Sequence, residues 1–365
     1  MNPLRRLREL GQSVWVDDIR RAWLQDGTFR RWIDEDGVSG VTSNPAIFEK
    51  AISAGGEYDG PIRALARSGR EAGAIYETLA IEDIRMAADL LRPTYDATGG
   101  DGFASLEVSP HYAGDTEATL REARRLWRAL DRPNVMIKVP GTAAGLPAIR
   151  TLLGEGVNVN ITLLFGLDRY REVVECFLAA LEERATAGKS VEGIASVASF
   201  FISRVDTLVD ARLDAMGTPQ ARALRGRAAI ASAQLAYQFQ REWTESGRWR
   251  RLLALGAHPQ RLLWASTSPK DPSYEDTRYV EALVGPQTVN TMPTATLDAY
   301  RDHGRPEVRL PEDVDGARAI WQALWELGIQ AQAVSDALER DGIRKFVQPF
   351  DKLQPALELR ARASA

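Results

Sequence analysis

Short apolar runs punctuate the chain, each followed by a turn and most by a stretch with helical spacing. The runs are "SVWVD" near 13–17, "GVT" near 40, "FASLEVS" at 103–109, "NVMIKVP" at 134–140, "VNVNITLLF" at 157–165, "GIASVASFFIS" at 193–203, "RLLWAS" at 261–266 and "TVNTMP" at 288–293. Between most of them lie amphipathic patterns such as "TEATLREARRLWRALD", "GLPAIRTLLGEG" and "LDRYREVVECFLAALEERATAG", and an arginine- and alanine-rich block from Ala221 to Trp243. Runs that alternate with helical stretches predict βα units around a parallel sheet. Eight such units predict an α/β protein built as a closed (β/α)8 TIM barrel with additional helices.

Three segments carry more helix than that rhythm needs. The expected organisation is one barrel unit over residues 1–365, with helical insertions at about 46–100 and 204–260 and a C-terminal helical extension at about 313–362. In the extension, Val334, Leu338, Phe346 and Phe350 form an apolar spacing. Helices form the outer ring of this architecture, so the extension is expected against the outer wall. A position over one barrel mouth is the other arrangement.

The same runs can be read for what points inward. Side chains alternate with period two along a strand, and barrel chemistry gathers at strand C-terminal ends. Ser105, Glu107 and Ser109 share one face, as do Met136 and Lys138, then Asn158, Asn160 and Thr162, and Trp15 with Asp17. Polar residues on the packed face of one strand are ordinary. On four strands they demand partners, because each buried polar group must be satisfied.

Composition sharpens one position. Of 46 basic residues only Lys50, Lys138, Lys189, Lys270, Lys345 and Lys352 are lysines. Lys138 stands alone between Lys50 and Lys189, inside an apolar run. A buried ammonium is expensive unless paired or neutralised. Lys138 is therefore either in a buried ion pair with Glu107 or Asp17, or a free amine with a chemical task. A formal net charge of -4 gives no general attraction to nucleic acid or anionic lipid. The single cysteine, Cys176, sits in a helical pattern and excludes an intrachain disulfide. His111, His258 and His303 are scattered without zinc-site spacing, with His111 placed to line a pocket or a loop surface. No dinucleotide or Walker sequence occurs. The amino terminus lacks a signal-peptide core and no run reaches membrane-spanning length, so a cytoplasmic protein is expected.

A lysine between apolar walls favours its free amine, which attacks a ketone or aldehyde to form a Schiff base. The protonated imine withdraws electrons and allows the neighbouring carbon–carbon bond to break. Asp17 and Glu107 are the carboxylates available to move protons, Glu107 acting through a water held by Thr162. Asn44 and Asn160 are placed to bind sugar hydroxyls. "SFFISR" sets Ser199 and Arg204 at a strand end, and "ASTSPK" sets Ser266, Ser268 and Lys270 at the next. Converging hydroxyls and cations there would bind a phosphate through charge-assisted bonds.

Five stretches, "GVTSNPAIF", "FASLEVSP", "VMIKVPGTAAGLPAI", "NVNITLLF" and "SFFISRVD", together resemble the transaldolase family, and the likeness runs from about Ser13 to the last helices. That resemblance implies a (β/α)8 barrel transferase of the non-oxidative pentose phosphate pathway. It implies transfer of a dihydroxyacetone unit from sedoheptulose 7-phosphate to glyceraldehyde 3-phosphate, with neither metal nor organic cofactor. It implies Lys138 as the Schiff-base lysine, Asp17 as the catalytic aspartate, and Glu107 with Thr162 as the holders of a catalytic water. Thr42, Asn44 and Asn160 match pocket residues, Ser199, Phe201 and Arg204 the phosphate-binding stretch, and Ser266 a serine near the phosphate. The shorter enzymes carry a second phosphate arginine after that serine, where this chain has Lys270 two residues later. Asp18 stands where many relatives have threonine. These features resemble the longer actinobacterial group. The implied partners are small phosphorylated sugars, not nucleic acid or membrane, and a homo-oligomer is compatible. Two rival readings are a fructose-6-phosphate aldolase and a non-catalytic barrel scaffold. Small aldolases of that kind carry tyrosine at the position of Phe201.

Overall fold

The structure is a computed structural model that describes residues 2–54, 56–310 and 313–362. Met1 and residues 363–365, the ends of the expected barrel unit, lie outside the described residues. Eight parallel strands close into a barrel in chain order: β1 (Gln12–Val16), β2 (Val38–Thr42), β3 (Phe103–Glu107), β4 (Val135–Pro140), β5 (Val159–Leu164), β6 (Ser196–Phe201), β7 (Arg261–Ala265) and β8 (Thr288–Met292). All eight expected runs are strands, and the (β/α)8 architecture is the one observed.

Strand residues are buried almost without exception, because the interior is filled by side chains and the exterior is covered by helices. Packing inside the closed barrel is tight. Trp15 is fully buried, and a Cβ on Gly40, its register partner on β2, would lie 2.3 Å from the indole. Only glycine leaves room there.

The extra helical segments take definite positions. Residues 46–100 contain all but the first residue of Pro45–Ala54, then Asp59–Arg67 and the long helix Ala72–Thr98. The block from Ala221 to Trp243 is not continuous. It splits into Pro219–Ala223 and Ala228–Thr244, with Gly226 between them at φ 67°. After β8 come Thr294–His303, Val314–Glu326 and Ala331–Arg362.

The last of these corrects an expectation. It does not simply line the outer wall but reaches the barrel mouth, because Phe346 lines the cavity there. Its apolar positions explain why: Val334, Leu338 and Phe346 are buried, and Phe350 packs edge-on against Tyr76. Among the described residues, no helix is long and apolar enough to cross a membrane.

Candidate active site

Register assembles the site. Thr42 lies beside Ser105, Glu107 beside Lys138, Lys138 beside Asn160, and Pro140 beside Thr162. Partners in parallel register share a face, so these side chains form one inward belt. Across the closing seam Trp15 pairs with Thr291, which puts Thr291 on the face of Asp17. Above the belt is a cavity of about 170 Å³, lined by residues that include Asp17, Thr42, Lys138, Arg204 and Phe346.

Lys138 is 4% exposed. Its Nζ lies 3.3 Å from Glu107 Oε2 and donates to the Ser43 carbonyl at 2.9 Å. Of the two ion-pair partners open from the sequence, Glu107 is the one in contact. Burial pushes the Glu107 carboxyl up to about 7, partly offset by the Lys138 charge. A carboxyl that titrates near neutrality beside an amine can give or take a proton there. Beyond that Lys138 contact, its two oxygens, like Thr162 Oγ1, are buried without a hydrogen-bond partner among the described residues.

Asp17 follows β1, keeps one face open to the cavity and is otherwise ringed by protein. That enclosure raises its pKa, opposed by Lys138 and by the Thr42 hydrogen bond. Thr42 donates to Asp17 Oδ1 at 2.6 Å. A hydroxyl has one proton, so Thr291, 2.7 Å from Thr42 Oγ1, must donate to Thr42. Asn44 lines the cavity while its Oδ1 accepts from the Ile47 N–H at the start of the helix Pro45–Ala54.

The opposite side is cationic. Arg204, at the start of the helix Ser203–Met216, stacks its guanidinium 5.4 Å from the Phe201 ring centroid. Its Nη1 is buried with no hydrogen-bond partner among the described residues. Burial lowers its pKa. Lys270 lines the same cavity from an exposed position, and its pKa is lowered by the protein packed around it and by Arg204. Neither cation lies in an ion pair with a carboxylate among the described residues. Ser266 lies between them in sequence, at φ 57°, with its Oγ 2.9 Å from Ser203 Oγ. Two unpaired cations with hydroxyls in one cavity are suited to hold an anion.

A family model described as Transaldolase/Fructose-6-phosphate aldolase matches residues 14–357. The chain belongs to this family. It is 49% identical to a transaldolase of Parafrankia sp. and 50% identical to one of Thermobifida fusca, with 96% of each chain covered in both cases. It is 45% identical to transaldolase 2 of a Nostoc species, over 98% of this chain and 97% of that one. A solved 2,3-dimethylmalate lyase covers 90% of this chain and is covered to 97%, but at 14% identity and a TM-score of 0.32 it carries no weight.

Within this family member, the residues singled out from the sequence do not all reach the cavity. Asp17, Thr42, Asn44, Lys138, Thr162, Ser199, Phe201, Arg204, Ser266 and Lys270 line it. Ser105 and Asn160 are fully buried beneath, where Asn160 donates to Ser105 Oγ and accepts from Ser199 Oγ at 2.7 Å. Asn158, on the same inward face by parity, bonds the Pro133 and Val135 carbonyls instead. Ser109 lies past the strand end, where its N–H donates to Glu122. His111 is exposed and pairs with Asp351 on the C-terminal helix at 2.6 Å. Burial raises the Cys176 thiol pKa, which disfavours the thiolate. Among the described residues, no group of three or more His, Cys, Asp or Glu could hold a metal ion.

Sequence reasoning missed Ser43, Thr291 and Phe346. Strand alternation in "TVNTMP" could have offered Thr291, given the closing seam. Ser43 contributes a backbone carbonyl, which no side-chain pattern reveals. Phe346 arrives from a helix more than two hundred residues from the lysine.

Proposed function

We propose that this chain is a transaldolase carrying a dihydroxyacetone unit as a Schiff base on Lys138, from sedoheptulose 7-phosphate to glyceraldehyde 3-phosphate. The products are erythrose 4-phosphate and fructose 6-phosphate. The single observation that carries the reading is the buried Lys138, 3.3 Å from one carboxylate and sharing a cavity with another and with two unpaired cations. Such an arrangement serves imine chemistry on a phosphorylated ketose.

The Lys138 amine adds to the donor C2 carbonyl. Glu107, through a water held with Thr162, moves the protons that convert the carbinolamine to an imine and release water. Asp17 takes the proton of the C4 hydroxyl, the C3–C4 bond breaks, and its electron pair enters the protonated imine to leave an enamine. The first aldehyde departs. The enamine carbon attacks the carbonyl of the second aldehyde, Asp17 returns the proton, and hydrolysis frees Lys138. Thr42, held by Thr291, orients Asp17. Asn44 faces the sugar hydroxyls, while Asn160, Ser105 and Ser199 stiffen the floor. Arg204, with Lys270 and Ser266, takes the phosphate. These substrates place the work in the cytoplasm.

Release of free dihydroxyacetone, the aldolase outcome, uses the same lysine. Phe201 favours transfer over that outcome, since a phenyl ring has no hydroxyl to orient a hydrolytic water. The test is borohydride trapping with fructose 6-phosphate, read by intact and peptide mass. A three-carbon adduct on Lys138 is expected, absent in Lys138→Arg, whose guanidinium cannot supply a free amine. A parallel sample given erythrose 4-phosphate should yield sedoheptulose 7-phosphate. An adduct on Lys50 or Lys270 with Lys138 free would overturn the assignment.

A further inference from the structure

Among the described residues, every cavity-lining residue except one comes from the barrel strands, the loops that follow them or, for Arg204, the first turn of the helix after β6, none later in the chain than Pro293. The exception is Phe346, on the helix Ala331–Arg362. Its ring is 4% exposed, and Lys138 Nζ lies 5.9 Å from its centroid. The helix is seated closely: one turn before Phe346, a Cβ on Gly342 would lie 2.9 Å from Leu163 Cδ2 and 3.4 Å from Phe165 Cζ. Leu163 adjoins Thr162 on β5 and is itself held at φ 62°. Farther along, Asp351 pairs with His111 at 2.6 Å, and Phe350 packs on Tyr76 and His111 with centroids 5.7 Å away in both cases. Glu339 faces Arg169 at 3.6 Å on the other flank. The helix is thus fixed on both sides of Phe346.

Phe201 frames the cavity from β6, backed by Phe165 at 5.1 Å and faced by Arg204. Phe346 frames it from the helix. Apolar rings in the cavity that holds the amine matter after the carbon–carbon bond breaks. The enamine on Lys138 then has two fates. Its carbon can attack an acceptor aldehyde, or it can take a proton and revert to a ketimine. Water then adds to the ketimine carbon, the C–N bond breaks, and free dihydroxyacetone leaves the lysine amine behind. Both fates end in hydrolysis, but in the second water reaches the three-carbon intermediate before an acceptor has been joined to it.

We infer that Phe346 is a specificity-determining residue that sets the partition between transfer and release, by covering the lysine-bound intermediate against water. The inference rests on the Schiff-base reading above. An apolar cover removes water from the imine and strengthens the electrostatics around it. The ring face adds attraction for the imine cation at the edge of cation–π range. Phe346 donates and accepts no proton, so imine formation does not need it.

The test measures two products from fructose 6-phosphate at a fixed concentration of erythrose 4-phosphate: sedoheptulose 7-phosphate by transfer and free dihydroxyacetone by release. In Phe346→Ala the release-to-transfer ratio should rise on the order of tenfold, with borohydride trapping on Lys138 retained. Phe346→Leu, which restores an apolar cover, should return the ratio most of the way to wild type. Phe346→Gln, close to leucine in size but polar, should be leaky like the alanine variant, and it serves if Phe346→Ala melts below the assay temperature. An unchanged ratio in a folded Phe346→Ala or Phe346→Gln protein overturns the inference. So does a leucine variant as leaky as the glutamine one. If the wild-type chain neither traps on Lys138 nor transfers, the proposed function has failed instead, and the two failures are distinguishable.

Discussion

Removing Arg204 tests whether the cationic side of the cavity reads phosphate. The guanidinium is held by Phe201, its Nη1 has no protein hydrogen-bond partner, and no carboxylate among the described residues pairs with it. Arg204→Ala therefore strands no partner, and its effect should fall on the ligand. A planar fork can make two charge-assisted bonds to a phosphate, each worth roughly 1.5–3 kcal/mol. The loss will not be the full sum. Lys270 lines the same cavity, so its point charge can take over part of the role. The net loss expected is about one such bond, or roughly 10- to 150-fold in kcat/KM. The assay compares fructose 6-phosphate with free fructose or dihydroxyacetone as donor, using unphosphorylated erythrose as acceptor throughout. The phosphorylated donor should suffer the loss, carried mainly by KM, while the others change little. Lys270→Ala should show the same pattern more weakly. The double variant should lose more than the two single losses predict, because compensation is gone. Equal loss on both kinds of donor would mean that Arg204 supports the barrel mouth and reads no phosphate. A phosphate-specific loss confined to Lys270→Ala would move the anchor to the loop after β7.

Two further predictions concern protons. Glu107 is pushed up to about 7 by burial, so the pH profile of carbinolamine dehydration should break near pH 7 in the wild type and lose that break in Glu107→Gln; a break that persists would assign it to another group. Asp206 is pushed up to about 6 by burial, despite hydrogen bonds from the Ala229 N–H and the Tyr279 hydroxyl, and it lies away from the cavity. A carboxyl whose folded pKa is raised contributes stability below its unfolded value, and that contribution is lost as pH rises through the folded value. The Tm advantage of the wild type over Asp206→Asn should therefore shrink between about pH 4 and pH 6, and an advantage that grows over that window would contradict the raised pKa.

Alternation along each strand is a local property, and it was legible in the sequence. Period two in "SLEVS", "VMIKV" and "NVNITLL" put Glu107, Lys138 and Thr162 on inward faces, and those are the faces they occupy. The isolation of Lys138 among apolar neighbours marked it before any neighbour in space was known. The number of strands followed as well, because eight β-rich runs separated by helical stretches have few ways to close. Depth was not legible. Asn158, Asn160 and Thr162 share a face, yet Asn158 bonds the backbone between strands, Asn160 lies under the cavity floor, and only Thr162 lines the cavity. How far up the barrel each one sits depends on inter-strand register, which is set by pairing between distant segments. Register likewise chose Glu107 as the partner of Lys138 and brought Thr291 across the seam to Thr42. The choice between outer wall and mouth for the C-terminal helix depended on a close approach at Gly342 and on contacts with Tyr76 and His111, residues far away in the chain. The chain alone specified the chemistry available to the barrel; its folding decided which groups meet, because contacts made across many residues leave no periodic trace in the residues that make them.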